Sequence, residues 1–203
     1  MDCLIIGNGR VTKDLMEKIP SNSYVICADG GAKYLDMLGV SADIIVGDMD
    51  SFDGEISTKE TIKYPVRKDF TDSEIAVDIA IEKGFKNIVM VGFTGTRLDH
   101  TLTNLFLLKR ITENSATGVI IDSNNEIYYA KKYNEISGKI GDIVSIIPVG
   151  TDMSGITTDG LDYTLFNETL EFGKGRGVSN VMIKEKCSIK IEKGQGLIIK
   201  SKD

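Results

Sequence analysis

The sequence predicts an α/β domain on a mostly parallel sheet, in the layered α/β/α form, followed by an all-β domain of the sandwich type. Three observations carry this expectation. Over the first 122 residues, short β-branched runs alternate with stretches of helical periodicity. After about Asn125 the apolar runs are separated only by Gly, Asn and Asp turns, and no helical pattern appears. The chain has 203 residues and is 41% hydrophobic, enough for one large core or two small ones. The texture changes between residues 123 and 134, so the domains are placed at 1–125 and 126–203.

Each element has its own signal. Leu4–Ile6, Val25–Ala28, Ile44–Val46, Asn87–Val91 and Val119–Asp122 are short apolar runs of strand length. Gly31–Leu38 and Asp72–Lys83 read as helices, and Leu98–Ile111 shows apolar residues at Leu98, Leu102, Leu105 and Phe106 with three-to-four spacing. Thr71 and Glu74 are spaced as a capping box at the start of the second helix, and Gly84 suits the position past its end. In the second half, Ile127–Ala130, Asp142–Pro148, Gly155–Thr158, Val181–Lys184, Ser188–Glu192 and Leu197–Lys200 read as strands of a sandwich or a curled antiparallel sheet.

Composition narrows the chemistry. Cys3, Cys27 and Cys187 lie far apart inside apolar runs, which argues for buried thiols rather than a disulfide framework or a zinc site. His100 is the only histidine, so carboxylates must carry any metal. A net charge of −6 argues against a nucleic-acid surface. No apolar run reaches the roughly 20 residues of a membrane helix, and the acidic N-terminus does not read as a secretory signal; a cytoplasmic protein is expected.

In an open parallel sheet, ligands collect beyond the carboxyl ends of the strands. Here those ends carry acids and glycines: Asp29-Gly30-Gly31, Gly47-Asp48-Met49-Asp50-Ser51, and Gly92-Phe93-Thr94-Gly95-Thr96-Arg97-Leu98-Asp99. Asp48 and Asp50 can aim two carboxylates at one point, which suits Mg²⁺ held jointly with substrate phosphates, although Gly-Asp and Asp-Gly also serve as ordinary turns. Lys68 and Asp72 flank a helix start, where free amides favour phosphate oxygens; helix capping alone accounts for Thr71 and Glu74. The Gly92–Gly95 loop lets backbone amides approach an anion beside the Arg97 fork, and no Walker A loop occurs. A second reading takes Gly7, Gly9 and Asp29 as a partial dinucleotide fingerprint, with Thr12 in place of its third glycine, which would make the chain an NAD(P)-dependent oxidoreductase. A third makes it a non-catalytic nucleotide- or vitamin-sensing module.

The strings Ala28-Asp29-Gly30-Gly31-Ala32, Gly47-Asp48-Met49-Asp50-Ser51, Lys68-Asp69-Phe70-Thr71-Asp72 and Gly92–His100, in this order, resemble those of the thiamine pyrophosphokinase family. Gly160-Leu161-Asp162-Tyr163 and Gly177-Val178-Ser179-Asn180 resemble its thiamine-binding segments, so the likeness covers nearly the whole chain. It implies transfer of a diphosphoryl group from ATP to the hydroxyl of thiamine, with Mg²⁺ as cofactor and AMP as the second product. It also implies a homodimer with shared active sites. Carried over residue by residue, Asp48, Asp50 and Asp72 hold the metal, with Asp29 in the same acidic centre, and Arg97 joins the three aspartates in catalysis. The nucleotide channel would take Asp29, Gly30, Gly31, Lys68, Thr71, Gly92, Thr94, Gly95, Arg97, Asp99 and His100; thiamine would meet Tyr163, Ser179 and Asn180. Phe93 and Thr96 replace smaller residues common in the family's glycine loop, and Tyr163 stands where some members have Trp.

Overall fold

The computed structural model describes residues 1–47, the backbone of 60–63, and residues 69–202. It divides into two compact units, Met1–Ser123 and Asn124–Asp203.

The first unit is a parallel sheet with helical layers. Its strands are β1 (Cys3–Ile6), β2 (Tyr24–Ala28), β3 (Ile44–Gly47), β4 (Glu60–Lys63), β5 (Asn87–Val91) and β6 (Thr117–Ile121), in the order β6-β5-β1-β2-β3-β4. Every described pairing among them is parallel. β1 and β3 are buried along their whole length, as continuous apolar runs require when both faces are covered. On one face Leu4, Ile6, Val25 and Cys27 pack with Leu15, Leu35 and Leu38. Helix α2 (Asp72–Glu82) lies over β1 to β3, and α3 (Leu98–Glu113) over β6. All three cysteines are free and buried, and burial pushes the Cys3 and Cys27 thiols up to about 12, where they are chemically quiet.

The capping box forms as its spacing predicts: the Thr71 hydroxyl accepts from the Glu74 N–H at 3.2 Å, and Glu74 Oε2 accepts from the Thr71 N–H at 2.8 Å. One helix expectation is corrected. Residues Asp29–Tyr34 form a 3-10 turn, and only Leu35–Leu38 is α-helical (α1). Gly31 lets this turn press on β1 so closely that a Cβ there would lie 2.1 Å from the Ile6 carbonyl oxygen. The expected helix over Leu98–Ile111 forms as α3, and of its two apolar faces the one with Leu107, Leu108 and Ile111 is buried, whereas Leu98, Leu102 and Phe106 are 71%, 48% and 44% exposed.

The second unit is a β-sandwich. One antiparallel sheet runs β12 (Asn180–Val181), β9 (Ile143–Pro148), β14 (Gly196–Ser201), β7 (Asn125–Tyr129); the other runs β11 (Glu168–Leu170), β10 (Met153–Asp159), β13 (Lys186–Lys190), β8 (Tyr133–Ser137). Ile146 and Ile198 of the first sheet share a core with Ile156, Leu170 and Ile189 of the second. The expected strand Val181–Lys184 shrinks to β12, because Leu161 bridges Met182 and the Met182 N–H turns to the Asp142 carbonyl. β8 and β11 escape the sequence pattern, since each buries a single side chain.

The close approach at Gly31 predicts that Gly31→Ala costs about 3 kcal/mol, because the obstacle is backbone that cannot rotate away. Urea unfolding checks this, and a loss below about 1 kcal/mol would show that β1 can yield.

Candidate active site

Strand order chooses the location. The chain steps outward from β1 through β4, then returns to the other side of β1 for β5 and β6, so the sheet reverses its progress between β1 and β5. A cleft of about 660 Å³ lies at these carboxyl ends, lined by Asn8 and Gly9 after β1, Asp29 after β2, Thr71 to Ser73 at the start of α2, Gly92 and Phe93 after β5, and Arg97 and His100 at the start of α3.

Two aspartates line this cleft. Asp29 leaves β2 with φ of 52°, and Asp72 opens α2. A Cβ on Gly47, the last residue of β3, would lie 3.2 Å from Asp29 Cα and 3.9 Å from the Asp72 carboxyl carbon. Asp48 is next in the sequence, but Asp48, Asp50 and Lys68 lie outside the described residues. Among the described residues no three His, Cys, Asp or Glu side chains gather to hold a metal ion. The acidic side chains that line the cleft, Asp29 and Asp72, offer carboxylate oxygens and no thiolate stands among the lining residues, which suits Mg²⁺ and no thiophilic metal.

The glycines serve each other before they serve a ligand. The N–H groups of Gly7, Gly9 and Arg10 donate to the carbonyls of Val91, Gly92 and Thr94 at 2.8, 2.7 and 2.9 Å, prolonging the β1–β5 ladder past the strands. A Cβ on Gly9 would lie 2.5 Å from the Gly92 oxygen, and one on Gly92, at φ 75°, 2.4 Å from the Gly7 oxygen. The amides a dinucleotide pyrophosphate would need are therefore committed, and the reading of Gly7, Gly9 and Asp29 as an NAD(P) fingerprint is corrected on that ground. Thr12, at the third fingerprint position, meets Ser123 at 2.9 Å instead.

Four expected nucleotide residues shape the floor without lining the cleft. Gly30 makes room for the Asn8 carboxamide, Gly31 for Ile6, and Gly95, at φ 88°, for Arg10. The Thr94 hydroxyl donates to Asp122 at 3.0 Å. Asp99 also stands off the lining and holds Arg97, whose Nε and Nη2 donate to its two oxygens at 3.1 and 2.5 Å. That hydrogen-bonded guanidinium, assisted by the His100 N–H, brings the Asp99 carboxyl down to about 2 and raises Arg97. The folded value lies below the ordinary one near 3.9, so the pair's stabilisation is present at neutral pH and is lost progressively as pH falls from about 4 through about 2. Asn8, Lys33, Phe70, Ser73 and Asn104 also line the cleft, beyond the residues expected from the motifs; an asparagine between two strand-end glycines is the available signal for the first.

Within the second unit, a cleft of about 430 Å³ brings together Tyr163, Ser179 and Asn180, with Arg176 and Val178 beside them. The Tyr163 side chain is 75% exposed at this cleft. Asn180 acts on its backbone: Oδ1 accepts from the Tyr163 N–H at 3.0 Å and Nδ2 donates to the Tyr163 carbonyl at 2.7 Å. Ser179, at φ 62°, donates its N–H to Ser145 Oγ at 3.1 Å. Arg176, also unforeseen, pairs with Glu168 at 2.9 Å.

Two family models match this chain. The thiamin pyrophosphokinase catalytic domain matches residues 15–146, and the thiamin pyrophosphokinase vitamin B1 binding domain matches residues 125–198. The chain belongs to the thiamin pyrophosphokinase family. The thiamine pyrophosphokinase of Bacillus subtilis is 31% identical over 142 residues, 69% of this chain and 66% of the relative. Thiamin pyrophosphokinase 1 of Caenorhabditis elegans is 31% identical over 151 residues, 68% of this chain and 61% of the relative. The chain thus spans under two thirds of the length of these curated relatives. The crystal structure of thiamine pyrophosphokinase from Bacillus subtilis superposes with a TM-score of 0.88 at 25% identity, covering all of both chains. These matches bear out the family and the α/β-then-β order expected from the motifs.

Because both ends of the Asn180 amide hold Tyr163, Asn180→Ala is expected to cost about 2 kcal/mol and Asn180→Asp, which keeps the acceptor, about half of that. Urea denaturation of the two variants measures the difference; equal losses would mean that the Nδ2 bond contributes nothing.

Proposed function

We propose that this member of the family transfers the terminal diphosphoryl group of ATP to the primary hydroxyl of thiamine, giving thiamine diphosphate and AMP. The observation that carries the reading is the meeting of Asp29, Asp72 and Arg97 in one cleft at the switch point of the sheet. The cleft opens beside helix α2, whose first turn presents Thr71 to Ser73 with the positive end of its dipole. Asp48, Asp50 and Asp72 would hold Mg²⁺, which when bound neutralises phosphate oxygens and fixes the polyphosphate.

The protein's own part is placement and charge. Arg97, already oriented by Asp99, and Lys68 balance the charge that builds on the phosphates. The thiamine hydroxyl oxygen forms the new bond to the β-phosphorus as the bond to the bridging oxygen of the AMP moiety breaks, and the hydroxyl proton passes to a carboxylate, which we assign to Asp72. Gly30, Gly31, Thr94 and Gly95 belong to this nucleotide channel through the shape they give it, and Thr71, Gly92, Asp99 and His100 complete it. In the second unit, Tyr163 offers an aromatic face to a cationic vitamin, an attraction of roughly 0.5–2 kcal/mol, with Ser179 and Asn180 around it.

The homodimer with active sites shared between subunits is part of the proposal. It is supported by the apolar stripe Leu98, Leu102 and Phe106 that α3 leaves exposed. So is a cytoplasmic place of work, where ATP is supplied; no described helix is long and apolar enough to cross a membrane.

Incubation with Mg-ATP and thiamine should release AMP and thiamine diphosphate in equal amounts. Asp48→Ala or Asp50→Ala should lower turnover by about two orders of magnitude or more with the circular dichroism unchanged. Saturable binding without AMP would instead make the chain a sensing module. Light scattering should give twice the chain mass, and Leu102→Asp should yield monomers that have lost activity; an active monomer would overturn the shared site.

A further inference from the structure

The first cleft holds a cation that neither the motifs nor the family descriptions count. Lys33 stands in the 3-10 turn after β2, exposed, at the cleft lining. Its ammonium donates to Asn8 Oδ1 at 2.5 Å and lies 4.9 Å from the centre of the Tyr34 ring. Tyr34 is itself anchored, with its hydroxyl donating to the Gly9 carbonyl at 2.6 Å. On the other side of the amide, Asn8 Nδ2 donates to Asp29 Oδ2 at 3.0 Å. The carboxamide is seated firmly: a Cβ on Gly30 would come within 2.7 Å of Asn8 Oδ1 and 2.8 Å of its Cγ.

The three side chains form a line of ammonium, amide and carboxylate, in which the charges at the ends dictate which way the amide faces. That line keeps Lys33 and Asp29 from pairing directly. An ammonium has three donors and Asn8 takes one. No ion pair to Lys33 occurs among the described residues, whereas Arg97, the other cation lining the cleft, is already paired with Asp99. A cation held at a cleft wall by a neutral amide is not neutralised by its partner and can meet an incoming anion, and under the proposed function that anion is a phosphate oxygen brought in with Mg²⁺.

We infer that Lys33 is a phosphate-contacting residue of the nucleotide cleft, and that Asn8 is a positioning residue that holds it apart from Asp29. The inference rests on the proposed function for its substrate class, and goes beyond it in naming the contact. Three variants of the full chain test it: Lys33→Met, Lys33→Arg and Asn8→Ala. For each, the KM for ATP, the KM for thiamine and the melting temperature are measured. Equilibrium binding of a non-hydrolysable ATP carrying a methylene between its α- and β-phosphorus is measured in Mg²⁺ at two salt concentrations.

Lys33→Met should weaken binding of the analogue and raise the KM for ATP about tenfold, flatten the salt dependence, and leave the KM for thiamine within about twofold. Because Lys33 is exposed, its melting temperature should match the wild type. Lys33→Arg should keep most of the affinity, and Asn8→Ala should lose part of it. If the wild type turns over and Lys33→Met binds and reacts as the wild type does, this inference alone fails. If the wild type makes no AMP while Lys33→Met still loses analogue affinity, the contact stands and the reaction assignment falls. A wild type that does not bind the analogue overturns both.

Discussion

Two stretches of backbone, one leaving β1 and one leaving β5, run side by side closer than any side chain would permit, and the cleft is floored by that contact. Gly7, Gly9 and Gly92 supply the clearance, and three inter-loop hydrogen bonds extend the ladder beyond the strands. Gly31 performs the same service one strand over, where the turn after β2 rests on the Ile6 carbonyl. With the floor fixed in this way, Asn8, Asp29 and Arg97 are carried on short tethers from rigid elements, and the cleft needs little reorganisation to receive a charged ligand. The glycines thus contribute geometry, and the polar side chains contribute the chemistry.

Charge in the cleft is arranged by intermediaries. Asp99 fixes the Arg97 fork, and Asn8 stands between Lys33 and Asp29. In each case a local partner removes rotational freedom from a charged group before a ligand arrives, which lowers the entropy lost on binding. The second unit repeats the logic with neutral groups. There the Asn180 amide holds the peptide of Tyr163, so that the ring is presented from a backbone with two fixed hydrogen bonds.

Much of this was legible in the residues, for reasons that differ by element. The capping box at Thr71 is a local pattern, so it reads correctly without any knowledge of the fold. Strand ends rich in Asp and Gly point to the right edge of the sheet, since apolar runs mark where each strand stops. The roles of individual glycines were not legible, because the atoms that crowd them come from distant segments, as Thr94 does for Gly9. Periodicity in α3 identified a helix but could not choose between its two apolar faces, and the face with Leu107, Leu108 and Ile111 took the core. Lys33 was invisible for a simpler reason: a single lysine in a turn carries no pattern, and only its neighbours in space give it meaning.

Asp29 has a positive φ of 52°, where glycine is at ease and aspartate, like asparagine, is tolerated at some cost. The proposed chemistry uses its side chain, so at this residue folding favours glycine, a replacement that chemistry would not accept. Thermostabilised versions selected only for heat resistance would drift toward glycine here, and the conformational relief gained would arrive together with the loss of a carboxylate that lines the cleft.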